Sequence, residues 1–247
     1  MKLTEILEIL EAFAPAETAE EWDNVGLLID REGDEIQKIL VCLDFTADVL
    51  EQAIEGGFQM IVTHHPVIFK PLSKLNNPTL LKAIRKNICV YSGHTNIDVA
   101  AGGVNDVLAQ KLELVNVTAD GILRVGELKE PLSETEFAKH VCKMLDVPAV
   151  RTVPLKKQIK KVGLVGGAGG DFLENAKLLN CDAYVTGEVS YHTAQAAENM
   201  DLFLVCAGHF ETEAPVAEAL TKLLNQKLTD AKAECAVLQN PFLVTTE

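Results

Sequence analysis

The sequence predicts an α/β protein made of two similar halves, each a mainly parallel sheet flanked by helices. Three observations carry that expectation. Apolar strand-like runs alternate with amphipathic segments of helix length along the chain. Two segments align without a gap at an offset of 123: "IQKILVCLDFTADVLEQAIEGGFQMIVTHHP" from Ile36, and "IKKVGLVGGAGGDFLENAKLLNCDAYVTGEV" from Ile159. Finally, Ala, Val, Ile and Leu carry the core while aromatics make up only 5% of 247 residues, as is common where helices cover a parallel sheet.

Taken in order, "MKLTEILEILEAFAP" has helical spacing with interspersed glutamates, which makes it neither a signal peptide nor a membrane anchor. "EEWDNVGLL" places Trp22, Asp23, Asn24 and Gly26 in a turn before a strand, and turn chemistry alone accounts for Asp-Asn and Gly there. The first aligned copy then reads strand, turn, amphipathic helix, and a second strand ending in Val-Thr. The second copy repeats that pattern, with eight of 31 positions identical (Ile36, Lys38, Asp48, Leu50, Glu51, Ala53, Val62 and Thr63 in the first). Each copy continues through a helix into a third strand, "NICVYSGH" and "DLFLVCAGH". These are βαβαβ units, expected as halves 1–120 and 121–247. The join around "TADGILRVGELKEPLS" is expected to add strands and no disordered linker.

Bulk composition narrows the function classes. A net charge of −14 opposes binding to nucleic acid, which requires a basic footprint, and is compatible with holding cations. The six cysteines (Cys42, Cys89, Cys142, Cys181, Cys206, Cys235) form no C-x-x-C pair, and most sit in apolar runs such as "ILVCL", where a free thiol behaves as a small hydrophobe. No apolar run approaches transmembrane length. The expectation is a reduced, cytoplasmic protein with no membrane partner.

In open α/β sheets, ligands bind beyond the carboxyl ends of the strands. Five of the six histidines fall in such segments, and the sixth, His140 in "SETEFAKHVCKML", reads as helix surface. His64 and His65 follow a strand directly. Neighbouring strand residues point to opposite faces, so both reach one centre only if the strand ends there, as Pro66 favours; otherwise they cap a buried strand or contact two ions side by side. "SGHTNID" supplies His94 and Asp98, an imidazole and a carboxylate that suit zinc, iron, manganese and nickel alike; the plainer account is helix capping by Asn96 or Asp98. In "GHFETE", a helix beginning after the strand sets His209 and Glu213 four residues apart on one face. Three or four histidines with two carboxylates exceed the needs of one tetrahedral site, and a carboxylate can bridge two ions about 4 Å apart.

Two further motifs lie at strand ends. Gly166-Gly167-Ala168-Gly169-Gly170 offers amides to a phosphate or another anion, though a tight strand-to-helix turn explains it equally well. "TGEVSYH" supplies Glu188 and His192 at i,i+4 as acid–base candidates, with surface helix residues the plainer account.

With these motifs in hand ("WDNVGL", "THHP", "HTNID" before "GGVND", "GGAGG", "TGE" and "GHFETE", in this order), the sequence resembles the Nif-three-like family over nearly its whole length. Bacterial members of that family carry the label GTP cyclohydrolase 1 type 2 homologue. Some members carry an extra domain between the halves, which are joined directly here. The resemblance implies a pair of α/β domains, a hexameric ring and a two-metal centre. It carries the ligand role onto His64, His65, Asp98, His209 and Glu213, with Glu213 as the bridge between two divalent ions. His94 matches a family histidine beside the site, as ligand or acid–base group, and Glu188 and His192 fall near the cavity. The label implies hydrolytic opening of the guanine imidazole ring of GTP, hence a hydrolase for a nucleotide or similar small anionic molecule. The alternative is a non-catalytic protein that stores or delivers metal, or binds regulatory partners.

Overall fold

The computed structural model describes residues 1–244. In chain order the first elements are helix α1 (Leu3–Phe13), strands β1 (Gly26–Ile29) and β2 (Lys38–Cys42), α2 (Ala47–Gly56), β3 (Met60–Thr63), α3 (Pro78–Arg85), β4 (Cys89–Ser92) and α4 (Thr95–Val99). The chain continues with α5 (Val104–Lys111), β5 (Val115–Asp120), β6 (Leu123–Ser133), α6 (Glu134–Leu145), β7 (Arg151–Val153), β8 (Gln158–Val165) and α7 (Leu173–Leu178). It closes with β9 (Ala183–Thr186), α8 (Tyr191–Asn199), β10 (Phe203–Cys206), α9 (His209–Glu213), α10 (Pro215–Lys227) and β11 (Lys232–Cys235). No helix among the described residues is long and apolar enough to cross a membrane.

The chain divides into two compact units. The first comprises Met1–Gly103 with Val216–Gln239, and the second comprises Val104–Pro215 with residues 240–244. A single join at 120/121 therefore does not describe the division. The reason is β11: it pairs in parallel with β2, in register Lys232↔Lys38 to Cys235↔Val41, and so returns the end of the chain to the first sheet. Its four residues, Lys-Ala-Glu-Cys, carry too little apolar pattern to announce that pairing.

The first unit holds a five-stranded sheet in the order β1-β4-β3-β2-β11, parallel except for β1 against β4. Strands β3 and β4 are buried along their whole length, the pattern of a sheet covered on both faces. Helix α2 starts where the Thr46 side chain accepts from the Val49 amide and stops at Gly57, whose φ of +67° is left-handed. Its face packs Val49, Leu50 and Ala53 with Leu40, Ile61 and Val90.

The second unit holds a six-stranded sheet in the order β5-β6-β8-β9-β10-β7. Strands β8, β9 and β10 are parallel, and β5, β6 and β7 join antiparallel, so "mainly parallel" fits the first sheet and only the centre of the second. The segment expected to add strands at the join supplies the second half of β5 and all of β6. The repeat is visible in the fold: β2-β3-β4 and β8-β9-β10 are equivalent parallel triplets, with α2 and α7 following their first strands.

Candidate metal centre

In the first unit the site is built where β3 and β4 end. The His64 amide donates to the Cys42 carbonyl at 3.2 Å and the His65 amide to the Leu43 carbonyl at 2.9 Å. The Thr63 hydroxyl donates to the Leu43 carbonyl at 2.7 Å. The backbone thus stays tied to the end of β2 while the strand itself stops at Thr63. Both rings then turn to one side, with centroids 5.1 Å apart. The adjacent histidines therefore converge, as an ending strand permits and a continuing one forbids.

His94 joins them: its ring centroid lies 5.2 Å from that of His64 and 5.7 Å from that of His65. Ring nitrogens of all three lie within 4.8 Å of one another, a spacing that one ion can satisfy. Asp98, in the short helix α4, brings Oδ1 to 3.5 Å from His64 Nε2. His64 and Asp98 are buried, and His65 and His94 are partly open.

The outer nitrogens are also held. His64 Nδ1 lies 3.0 Å from the Gly93 carbonyl and His65 Nδ1 2.7 Å from Asp44 Oδ1. His94 Nδ1 lies 3.0 Å from both carboxylate oxygens of Asp23. A carbonyl or carboxylate at Nδ1 fixes the Nδ1–H tautomer and aims Nε2 as the lone-pair donor. The Asp23 side chain is fully buried and also accepts from the Thr95 amide and hydroxyl at 3.0 and 2.6 Å. Burial alone raises a carboxyl pKa, yet the bonds from Thr95 and His94 outweigh it and hold Asp23 below its ordinary range.

In the second unit the expected helix after β10 is present as α9. Its first and last residues, His209 and Glu213, place Nε2 and Oε2 3.0 Å apart. His209 Nδ1 lies 3.1 Å from Glu188 Oε1, so the same carboxylate-to-Nδ1 device recurs. The site also repeats internally. Each unit runs from a buried strand through Gly-His to a carboxylate four residues on: Gly93, His94 and Asp98 in one, Gly208, His209 and Glu213 in the other.

Gly167 explains the glycine run. A Cβ there would stand 2.0 Å from Glu213 Oε1 and 3.2 Å from His209 Nε2, and its φ is +59°. Only glycine lets the backbone pass this close to the pair. The amides expected to cradle an anion are largely used internally: Gly166 donates to Asn105 Oδ1 at 2.8 Å, Gly167 to Thr212 Oγ1 at 3.0 Å and Gly169 to Thr186 Oγ1 at 3.0 Å. The loop packs beneath Glu213 as a tight strand-to-helix turn, the plainer of its two accounts.

Other expected residues land elsewhere. Glu188 precedes α8, so its i,i+4 relation to His192 is not helical; His192 is exposed and faces Gln195 at 3.3 Å. His140 is half-buried, its Nε2 2.9 Å from the Leu112 carbonyl, and is thus more than helix surface. Burial pushes the Cys42 and Cys89 thiols up to about 12, a setting for inert core groups. The sequence reading missed Asp44 and gave Asp23 only a turn role. The signal for Asp44 was its place at the end of a strand adjacent to the one carrying the histidines.

The donors present fit divalent metal. Within each unit, imidazole Nε2 atoms and a carboxylate oxygen stand together, acceptors hold the Nδ1 atoms, and in the second unit a glycine makes room beneath the pair. The chain matches the family described as Duf34/NIF3 (NGG1p interacting factor 3) over residues 1–241. It is 36% identical over 245 residues to a protein of Clostridium acetobutylicum named GTP cyclohydrolase 1 type 2 homolog, covering 92% of this chain and 91% of that one. A Helicobacter pylori protein named GTP cyclohydrolase 1 type 2 is 32% identical over 227 residues, covering 90% of each chain. The solved structure of a hypothetical protein of Staphylococcus aureus superposes with a TM-score of 0.92 at 28% identity, covering 99% of both chains. With a family match spanning both units, this chain belongs to the Duf34/NIF3 family.

Proposed function

We propose that this protein is a metal-dependent hydrolase of a nucleotide or similar small anionic molecule, with a dinuclear centre. The ligands that the family resemblance implies for it are His64, His65, Asp98, His209 and Glu213. The observation that carries the reading is the convergence of Nε2 atoms with carboxylate oxygens, each of the four histidines being held at Nδ1 by an acceptor. The names of the relatives support the substrate class.

When bound, two divalent ions (zinc, iron, manganese or nickel) supply Lewis acidity for hydrolysis. The protein's residues do the rest. Asp44 and Glu188 orient His65 and His209, and Asp23 keeps a proton on His94 Nδ1, so that His94 Nε2 is free to exchange protons with substrate or solvent. His192 has no part in this scheme. Assembly as a hexameric ring in the cytoplasm completes the proposal. A second reading, metal storage or delivery, draws on the openness of His209, whose side chain is 36% exposed beside Glu188 at 56%.

The test is metal content by mass spectrometry, then turnover of a nucleotide panel by the loaded protein, with sedimentation for the assembly state. About two ions per chain with nucleotide turnover support the hydrolase. Two exchangeable ions without turnover support delivery. Metal content unchanged by His64→Ala together with Glu213→Gln overturns the ligand assignment.

A further inference from the structure

The turn Trp22-Asp23-Asn24 does more than reverse the chain. We propose that Trp22 and Phe69 form a stacking platform, beside the histidine cluster, for the planar ring of an aromatic anion of the nucleotide class. This rests on the reading of that cluster as the reaction centre.

Trp22 is the chain's one tryptophan and is 59% exposed; Phe69 is 45% exposed. Rings of this size usually bury most of their surface, so presenting two together costs stability that neither turn nor core requires. Their centroids lie 5.8 Å apart at 62°, an edge-to-face pair. Both also approach the cluster: the His94 ring is 6.1 Å from Trp22 and 6.2 Å from Phe69.

The platform is fastened from beneath. Beside Trp22, the buried Asp23 carboxylate binds His94 and Thr95. The Asn24 side-chain amide donates to the Ile68 carbonyl, one residue before Phe69. Trp-Asp-Asn therefore ties the tryptophan to the histidine loop and to the phenylalanine loop at once. That rigidity lowers the ordering cost of binding a ring there.

Glu20 and Glu21 precede Trp22, but on the Phe69 side of the platform charge favours an anion. Between Glu55 and Asp98 the sequence contains no Asp or Glu, yet it carries Lys70, Lys74, Lys82, Arg85 and Lys86, in a chain of net charge −14. Lys82 is paired with Glu51. Lys70 and Lys74 sit exposed on the segment that starts at Phe69, and no ion pair engages them among the described residues. Aromatic stacking plus lysine is the chemistry by which proteins hold nucleotide bases and their phosphates without base-specific readout.

A single tryptophan makes the test direct. Emission of the metal-loaded protein is titrated with GMP, AMP, guanosine and ribose 5-phosphate, with metal content measured on the same samples. GMP and AMP should quench saturably, guanosine more weakly, and ribose 5-phosphate not at all. Phe69→Ala should weaken GMP binding about tenfold, and Phe69→Tyr should restore it. Lys70→Gln with Lys74→Gln should weaken GMP and leave guanosine unchanged. Absence of saturable quenching by GMP and AMP at full metal content overturns the platform and leaves the metal reading intact. Quenching with no metal bound keeps the platform and sinks the metal reading. Quenching indifferent to Phe69→Ala, or an emission shift with protein concentration alone as a second copy covers Trp22, also overturns the proposal.

Discussion

Asp44 Oδ1 stands 2.7 Å from His65 Nδ1, joining the end of β2 to the first residues beyond β3. The bond fixes the Nδ1–H tautomer of the imidazole, and Glu188 does the same for His209 at 3.1 Å. Asp44→Ala is expected to lower metal affinity about 10- to 100-fold, the range for losing such a carboxylate. Asp44→Asn, which keeps an acceptor oxygen, should fall between that variant and the parent. Competition against a chelator measures both, with His140→Gln, on a histidine remote in function, as the unaffected control.

Gly167 is a second lever. Alanine there meets Glu213 Oε1 at 2.0 Å and must adopt a φ of +59°. The backbone conformation alone should cost about 1–2 kcal/mol, and the displaced carboxylate should weaken metal binding besides. Denaturant unfolding of Gly167→Ala reads the first effect and metal titration the second. Gly33→Ala, also at positive φ but with open space around the added carbon, isolates the strain from the clash.

The buried thiols predict an alkaline limit. Burial raises Cys42 and Cys89 from 9.0 to about 12, so the folded state holds their protons where the unfolded state releases them. Their contribution is complete below pH 9 and is lost as pH rises through 12. Stability should therefore fall with rising pH across that window, and Cys89→Ala should flatten the slope. At pH 8 both thiols should resist iodoacetamide until denaturant is added. Alkylation of the native protein at either one would contradict their burial.

The discontinuous first unit makes a separate prediction. Ala233→Asp places a charge on β11 at a side chain that is 2% exposed against β2. That variant should lose amide protection in β2 before the second unit is affected. Hydrogen exchange resolved by segment checks this, and equal loss in β8–β10 would contradict it.

Much of the fold was legible because periodicity and duplication are properties of neighbours along the chain. The βαβ alternation and the offset of 123 located β2-β3-β4 and β8-β9-β10 correctly. The antiparallel flanks of the second sheet and the placement of β11 were not legible, since strand pairing over long separations leaves little trace in four-residue segments. The i,i+4 spacing read well in "HFETE", where a helix begins at His209, and failed in "EVSYH", where the helix begins only at Tyr191. Glycines after a strand read equally as an anion cradle or a tight turn, and the turn is favoured only once Asn105, Thr212 and Thr186, from 17 to 61 residues away, accept from their amides.

By itself the sequence determined the donor types and their placement at strand ends. Histidine and carboxylate at those positions follow from composition and from where apolar runs stop. Tertiary structure alone decided which nitrogen each histidine presents, that Asp44 and Asp23 stand behind two of them, and that Gly167 yields its volume to Glu213. Hydrogen-bond roles and steric allowance are settled within tenths of an ångström, between groups brought together only once distant segments have packed.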